Sequence, residues 1–175
     1  VSHIERAGVC LLTKGDQAVG VSREHIKNTI RKYNEKALIV ESIHRPRRFV
    51  ELKDWHRDIA GAGLDIKALA GKRVMAVSAI GNPMSFEQTL CDIGARIAES
   101  LRFPDHHEYT TKELQDVLDQ AVSLGAEAIV ITEKDAVKIP LTIIEAKVPI
   151  PVFVICVEVT FQEGAEPFQA MLSAD

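Results

Sequence analysis

The stretch VMAVSAIGNPMSFEQTL, residues 74–90, decides how this chain is read. Val74 to Ile80 is a run of strand length, apolar but for Ser78, of the kind buried on both faces of a sheet. Gly81-Asn82-Pro83 then makes a tight turn, and Ser85 with Gln88 three residues later has the form of a capping box, so a helix opens there. Strand, glycine turn and helix in that order imply an α/β domain. Its sheet is mainly parallel and flanked by helices, a Rossmann-like three-layer arrangement.

Working outward, Phe86, Leu90, Ile93, Ile97 and Leu101 continue one helical face from that opening. Thr110 with Glu113 is a second capping box, and its helix buries Leu114, Val117, Leu118, Ala121 and Val122 before ending at Gly125. Ala128 to Thr132 reads as a strand, and Val152 to Val159 as another, entered through Pro149-Ile150-Pro151. Upstream, Val9 to Leu12 and Ala37 to Val40 are short strands around a helix from Ser22 to Tyr33. That helix carries Arg23, Lys27 and Arg31 as a basic stripe, expected to be a solvated face.

From His44 to about Lys67 the character changes, with Arg45-Pro46-Arg47-Arg48 followed by Phe49 to Leu52 and later Gly61 and Gly63. The expected organisation is a first region over 1–45, a linker with a short extended pair over 46–70, and a C-terminal α/β domain over 71–175.

The chain has 175 residues, 46% apolar and 26% charged, enough to bury a core. A net charge of −4 gives no basic footprint, so nucleic acid is not an expected partner. Cys10, Cys91 and Cys156 share no CxxC spacing and sit in apolar surroundings, as reduced core residues of an intracellular protein would. No apolar run reaches membrane-span length, and the N-terminus has no signal-peptide pattern. The chain starts at Val1 and reaches an apolar run by Val9, as an excised fragment or a processed chain would.

Asp105-His106-His107 is the densest chemical cluster. A carboxylate beside an imidazole orients it and stabilises its protonated form, which suits a general base; capping of the next helix is the plain alternative. Adjacent histidines on extended backbone point to opposite sides, which makes them a poor pair for one metal, and no metal site is assigned. Should Leu101 to Phe103 be a strand, right-handed crossovers bring Gly81-Asn82, Asp105-His106-His107 and Glu133-Lys134-Asp135 to one sheet edge. If those residues prolong the helix instead, the histidines fall on the opposite edge. Lys134 there could neutralise a phosphate, and Glu133 or Asp135 could position a hydroxyl or a metal; a solvated charge cluster is the other reading. Thr13-Lys14-Gly15-Asp16 fits a T/N-K-x-D purine-reading pattern weakly, through Lys14 and Asp16, and the phosphate-binding G-x-x-x-x-G-K-[ST] sequence is absent.

In order, Ala79-Ile80-Gly81-Asn82-Pro83, Phe86, Phe103-Pro104-Asp105-His106-His107-x-Tyr109-Thr110 and Thr132-Glu133-Lys134-Asp135-Ala136-Val137-Lys138 resemble the C-terminal half of the tetraacyldisaccharide 4'-kinase family. Ile4-Glu5-Arg6-Ala7 and the strand after it resemble the end of that family's nucleotide-binding lobe, which makes 1–45 a remnant of a P-loop lobe. The resemblance implies a lipid A pathway kinase that moves the ATP γ-phosphate, with Mg2+, to the 4'-hydroxyl of a tetraacyl glucosamine disaccharide 1-phosphate. It further implies a cytoplasmic enzyme peripheral to the inner membrane, with the lipid A disaccharide precursor reaching the cleft from that surface.

The resemblance implies that the histidine of the family's D-H motif partners a catalytic aspartate from the N-terminal lobe; by position that histidine is His106, with Asp105 beside it and His107 as second choice. Gly81, Asn82, Glu133, Lys134 and Asp135 would support the cleft. The P-loop lobe that would hold ATP and Mg2+ is expected upstream of Val1, so these residues alone are expected to be inactive and to bind neither. Two alternatives stand beside this: a manganese-dependent phosphoesterase sharing the D-H-H triplet, which needs further paired aspartates where only Asp16 is at hand, and a non-catalytic α/β ligand-binding module.

Overall fold

In the computed structural model, residues 3–13, 23–144 and 148–173 are described. The chain divides into two compact units, Val1–Arg45 with Glu158–Asp175, and Pro46–Val157. Lys14 and Asp16 lie outside the described residues.

In the first unit, strand β1 (Val9–Thr13) pairs in parallel with the start of β2 (Leu38–Glu51), Val9 opposite Leu38 and Thr13 opposite Ser42. Helix α1 (Arg23–Tyr33) buries Ile30 beside Ala37 and Ile39. Of its basic stripe, Arg23 and Arg31 are exposed as the sequence suggests, whereas Lys27 is half-buried. Lys27 Nζ sits 2.6 Å from the buried Glu41 carboxylate and also pairs with Glu163, while Arg31 donates to the carbonyl of Ala37 at 2.6 Å. A buried carboxylate needs a cation, and that requirement turns Lys27 inward.

The second unit holds strands β4 (Arg73–Ser78), β5 (Arg96–Arg102), β6 (Ala128–Thr132) and the first half of β7 (Val152–Glu163), all parallel where they pair, in the order β7-β6-β4-β5. Alternate residues of β4 go to opposite faces. Met75, Val77 and Ala79 pack with Leu114, Val117 and Ala121 of α4 (Thr111–Ser123). Val74 and Ala76 pack with Phe86 and Leu90 of α3 (Pro83–Asp92). Helix, sheet and helix therefore form the expected three layers, and the period of two in β4 is their cause.

Residues 46–70 contain the end of β2, the short helix α2 (Leu52–His56) and β3 (Leu64–Asp65), whose Leu64 pairs antiparallel with Phe49. β2 thus runs well past the expected Val40, and β7 past the expected Val159. Ala165–Leu172 form a further helix that no sequence signal had suggested.

Two local expectations fail around α3. Asn82, not Ser85, is its N-cap: the Asn82 side chain accepts from the Ser85 amide at 3.3 Å, and Pro83 takes the first turn, where its missing N–H costs nothing. The helix also stops at Asp92 instead of continuing through Ile97 and Leu101. Gly94 at φ +94° breaks it, and Arg96–Arg102 becomes β5. A spacing of four residues fits one face of a strand as well as one face of a helix, which is why the pattern misled. Among the cysteines, Cys91 is exposed on α3, and Cys10 and Cys156 are half-buried.

Candidate active site

Parallel strands end on the same side, so the residues following β4, β5 and β6 share one edge of the second unit. The amide of Phe103 donates to the carbonyl of Ser78 at 2.8 Å, which carries the β4–β5 ladder one step further. Beyond it, a Cβ placed on Gly81 would stand 3.3 Å from Oδ2 of Asp105. Gly81-Asn82 and Asp105-His106-His107 are thereby brought together, on the edge where the first of the two sequence readings puts them.

The two histidines have different surroundings. His106 takes φ +64° in a turn closed by the His107 amide on the Pro104 carbonyl at 3.0 Å. Its side chain is 89% exposed, with Nε2 3.7 Å from Oδ2 of Asp105, an ion-pair distance for the protonated ring but too long for a hydrogen bond. The Asp105 carboxylate also accepts from the His106 amide at 3.1 Å. His107 is 24% exposed, stacked on Phe103 at 4.9 Å and edge-on to Tyr109, with Nε2 3.2 Å from Oε1 of Glu113.

Glu113 completes the capping box of α4. It accepts from the Thr110 amide at 2.8 Å, and Thr110 Oγ1 accepts from the Glu113 amide at 3.2 Å. The bonds from Thr110, then the neighbouring His107, hold the Glu113 carboxyl below the usual range. Helix capping is therefore the task of Thr110 and Glu113; Asp105 takes no part in it.

The third segment begins at α5 (Glu133–Ala136), one turn of helix capped by Thr132. Asp135 is fully buried. Its Oδ1 accepts from the Ala79 amide at 2.9 Å and from the Tyr109 hydroxyl at 3.0 Å, and its Oδ2 accepts from the Thr132 hydroxyl at 2.6 Å. Burial first, and then the Asp135 carboxylate, push the Tyr109 phenol up. The sequence reading assigned Tyr109 no role. Its signals there were its place in the Phe103–Thr110 motif and a polar aromatic two residues after His107, next to a helix cap.

Glu133 is turned toward the start of the second half of β7, where it accepts from the Val157 amide at 3.2 Å. Burial first, and then Glu133, raise the nearby Cys156 thiol. Lys134 is exposed and Asn82 is engaged in capping α3. Of the predicted site residues, the solvent edge therefore presents Gly81, Asp105, His106 and Lys134, whereas Asp135 lies beneath it. Among the described residues, no three His, Cys, Asp or Glu side chains gather into a group that could hold a metal ion.

An α/β domain whose parallel strands end at a glycine turn and an Asp-His pair is of the class that binds its ligand at the carboxyl edge of the sheet. A family profile described as Tetraacyldisaccharide-1-P 4'-kinase matches residues 1–175, and the chain belongs to that family. Relatives named tetraacyldisaccharide 4'-kinase include one from Elusimicrobium minutum (strain Pei191), 35% identical over 140 residues, which are 80% of this chain and 35% of the relative. Another, from Anaeromyxobacter sp. (strain K), is 34% identical over 171 residues, covering 98% of this chain and 43% of the relative. A crystal structure of LpxK from Aquifex aeolicus in complex with ATP aligns with 94% of this chain and 51% of its own, at 18% identity and a TM-score of 0.49. The chain spans 35% of the length of the first of these curated relatives and 43% of the second. The match over the whole chain sets aside the phosphoesterase reading of the D-H-H triplet.

Proposed function

We propose that these residues form the substrate-side portion of a kinase that transfers the γ-phosphate of ATP to the 4'-hydroxyl of a tetraacyl glucosamine disaccharide 1-phosphate. The observation that carries the reading is the family match over residues 1–175. The convergence of Gly81, Asp105 and His106 on one sheet edge supports it.

In this reading the 4'-oxygen attacks the γ-phosphorus, the bond from that phosphorus to the β,γ-bridging oxygen breaks, and ADP leaves. The hydroxyl proton passes to the His106 imidazole, whose positive charge Asp105 offsets. Because the transition state is loose, holding the hydroxyl in line counts for more than removing its proton. Magnesium, bound with ATP, would neutralise charge on the transferring phosphate. On this side of the cleft, His106 and Asp105 would act on the acceptor hydroxyl. Lys134 is free to approach a phosphate oxygen from the same edge.

The P-loop sequence that would hold the ATP phosphates does not occur among the 175 residues. The proposal therefore includes a P-loop lobe as partner, residues 1–45 as the remnant of that lobe, and no turnover by the 175 residues alone. A lipid acceptor places the working enzyme at the cytoplasmic face of the inner membrane. No helix among the described residues is long and apolar enough to cross a membrane.

The test is to express the complete reading frame that encodes these residues and supply it with γ-labelled ATP, magnesium and the tetraacyl disaccharide 1-phosphate. Label in the lipid is expected, and none from residues 1–175 by themselves. Unlabelled lipid from the complete protein would overturn the assignment.

A further inference from the structure

We propose that Asp135 is a positioning residue: its buried carboxylate ties the ends of β4, β5 and β6 together and so sets where His106 and Gly81 stand. The inference rests on the proposed function, in which His106 meets the acceptor hydroxyl.

Asp135 is the one fully buried acid among the described residues, and its three bonds come from three segments. The Ala79 amide lies two residues before Gly81. The Tyr109 hydroxyl lies three residues after His106, on a ring that packs edge-on against both Phe103 and His107. Thr132 closes β6. On the far side of α5, the carbonyl of Ala136 is bonded to Nε2 of His56 at 2.9 Å, which holds the short helix against α2. One carboxylate thereby fixes both walls of the candidate site to the same strand end, while standing too deep to touch a substrate itself.

A merely structural group would not need to be an acid. Burying a carboxylate costs several kcal/mol unless its hydrogen bonds are satisfied, and apolar or neutral residues commonly fill such a place as well or better. Asparagine could keep the bonds to Ala79 and Tyr109. Its amide nitrogen would then face the Thr132 hydroxyl, which already accepts from the residue 135 amide at 3.3 Å and would have to turn its own hydrogen elsewhere. Two carboxyl oxygens accept from all three donors at once, which one amide oxygen cannot.

The experiment uses the protein from the complete reading frame, with variants Asp135→Asn, Tyr109→Phe and His106→Asn, and the double variant His106→Asn/Asp135→Asn. Turnover, KM for ATP, melting temperature and backbone hydrogen exchange over residues 79–82 and 105–109 are read for each. Asp135→Asn is expected to lower kcat about tenfold or more with KM for ATP within about twofold, since small misplacements at a reacting centre are costly. Exchange should rise in both segments. On the His106→Asn background the same change should cost no more than about twofold, because the two residues act as a unit.

Unchanged kcat with unchanged exchange in Asp135→Asn would overturn the proposal. So would a loss that persists in full without His106. Should Asp135→Asn fail to fold, Tyr109→Phe carries the same test with the same two outcomes. If His106→Asn retains full turnover, it is the functional role of His106 that fails, and the exchange data decide the positioning role by themselves.

Discussion

Nε2 of His107 lies 3.2 Å from Oε1 of Glu113, and this contact sets the surroundings of the two adjacent histidines apart. His107 is stacked, bonded and half-buried against the start of α4, whereas His106 is turned outward by a left-handed backbone. We expect a corresponding division of tasks, with His107 supporting the fold and His106 meeting the acceptor.

Replacing His106 by Asn should therefore leave melting unchanged, because asparagine tolerates φ near +60° and the side chain is exposed. Turnover of the complete protein should fall by about a hundredfold, the scale of lost acid–base catalysis. His107→Ala should do the reverse, lowering stability while affecting turnover less. Steady-state kinetics paired with thermal melts separate the two, and equal effects would reject the division.

Thr110→Ala removes the N-cap of α4 and should cost about 1 kcal/mol, or roughly 2–4 °C in melting temperature for a chain of this size. The Glu113 carboxylate, held low by Thr110, adds stability that is whole above its unfolded pKa and is lost as pH falls through the folded one. The variant's deficit should therefore narrow below about pH 4. Urea melts from pH 7 to pH 3 would show it, and a constant deficit would count against it.

Gly81→Ala brings a Cβ to 3.3 Å from Oδ2 of Asp105. That carboxylate is 51% exposed and can swing aside, so stability should change by no more than about 0.5 kcal/mol. Displacing Asp105 from His106 should still lower kcat. A variant that melts normally and turns over at the parent rate would mean that Asp105 does not need its present place.

Tyr109 has a phenol pushed up by burial and by Asp135. A raised pKa gives stability that is complete below the unfolded value near 10 and drains away as pH rises from there toward the folded value. Tyr109→Phe should be less stable at neutral pH and should lose stability less steeply above about pH 10. Chemical denaturation across that range is the measurement, and parallel slopes would argue against the coupling.

In the first unit, Gly164 sits at φ +73°, where an added Cβ would collide with the carbonyl oxygen of Ile39 and lie 3.2 Å from the Cα of Val40. The blocking atoms are backbone and cannot rotate away. Gly164→Ala should cost about 2 kcal/mol or more, and a melt within about 1 °C of the parent would contradict the close approach.

Much of this was legible in the chain. The apolar run at Val74, the strand from Ala128 to Thr132 and the Thr110–Glu113 box are local signals, each set by neighbours within a few residues, and all stand as read. The resemblance of the three motifs to the kinase family also lay in the sequence alone. What failed were long-range matters. The ambiguous spacing at Ile97 and Leu101, the extent of β2 beyond Pro46 and the inward turn of Lys27 depend on distant segments that no local pattern encodes.

The sequence by itself determined the βα order and the identity of the chemical groups, because propensity, capping and hydrophobic period act over one or two turns of chain. Only the tertiary structure decided their division of labour. Asp135 is buried because Ala79 and Tyr109, 56 and 26 positions away, bring their donors to it, and His106 faces outward while His107 is held by Phe103 and Glu113. Hydrogen bonding and burial between segments distant in sequence fix those outcomes, and they exist only once the strands have been laid side by side.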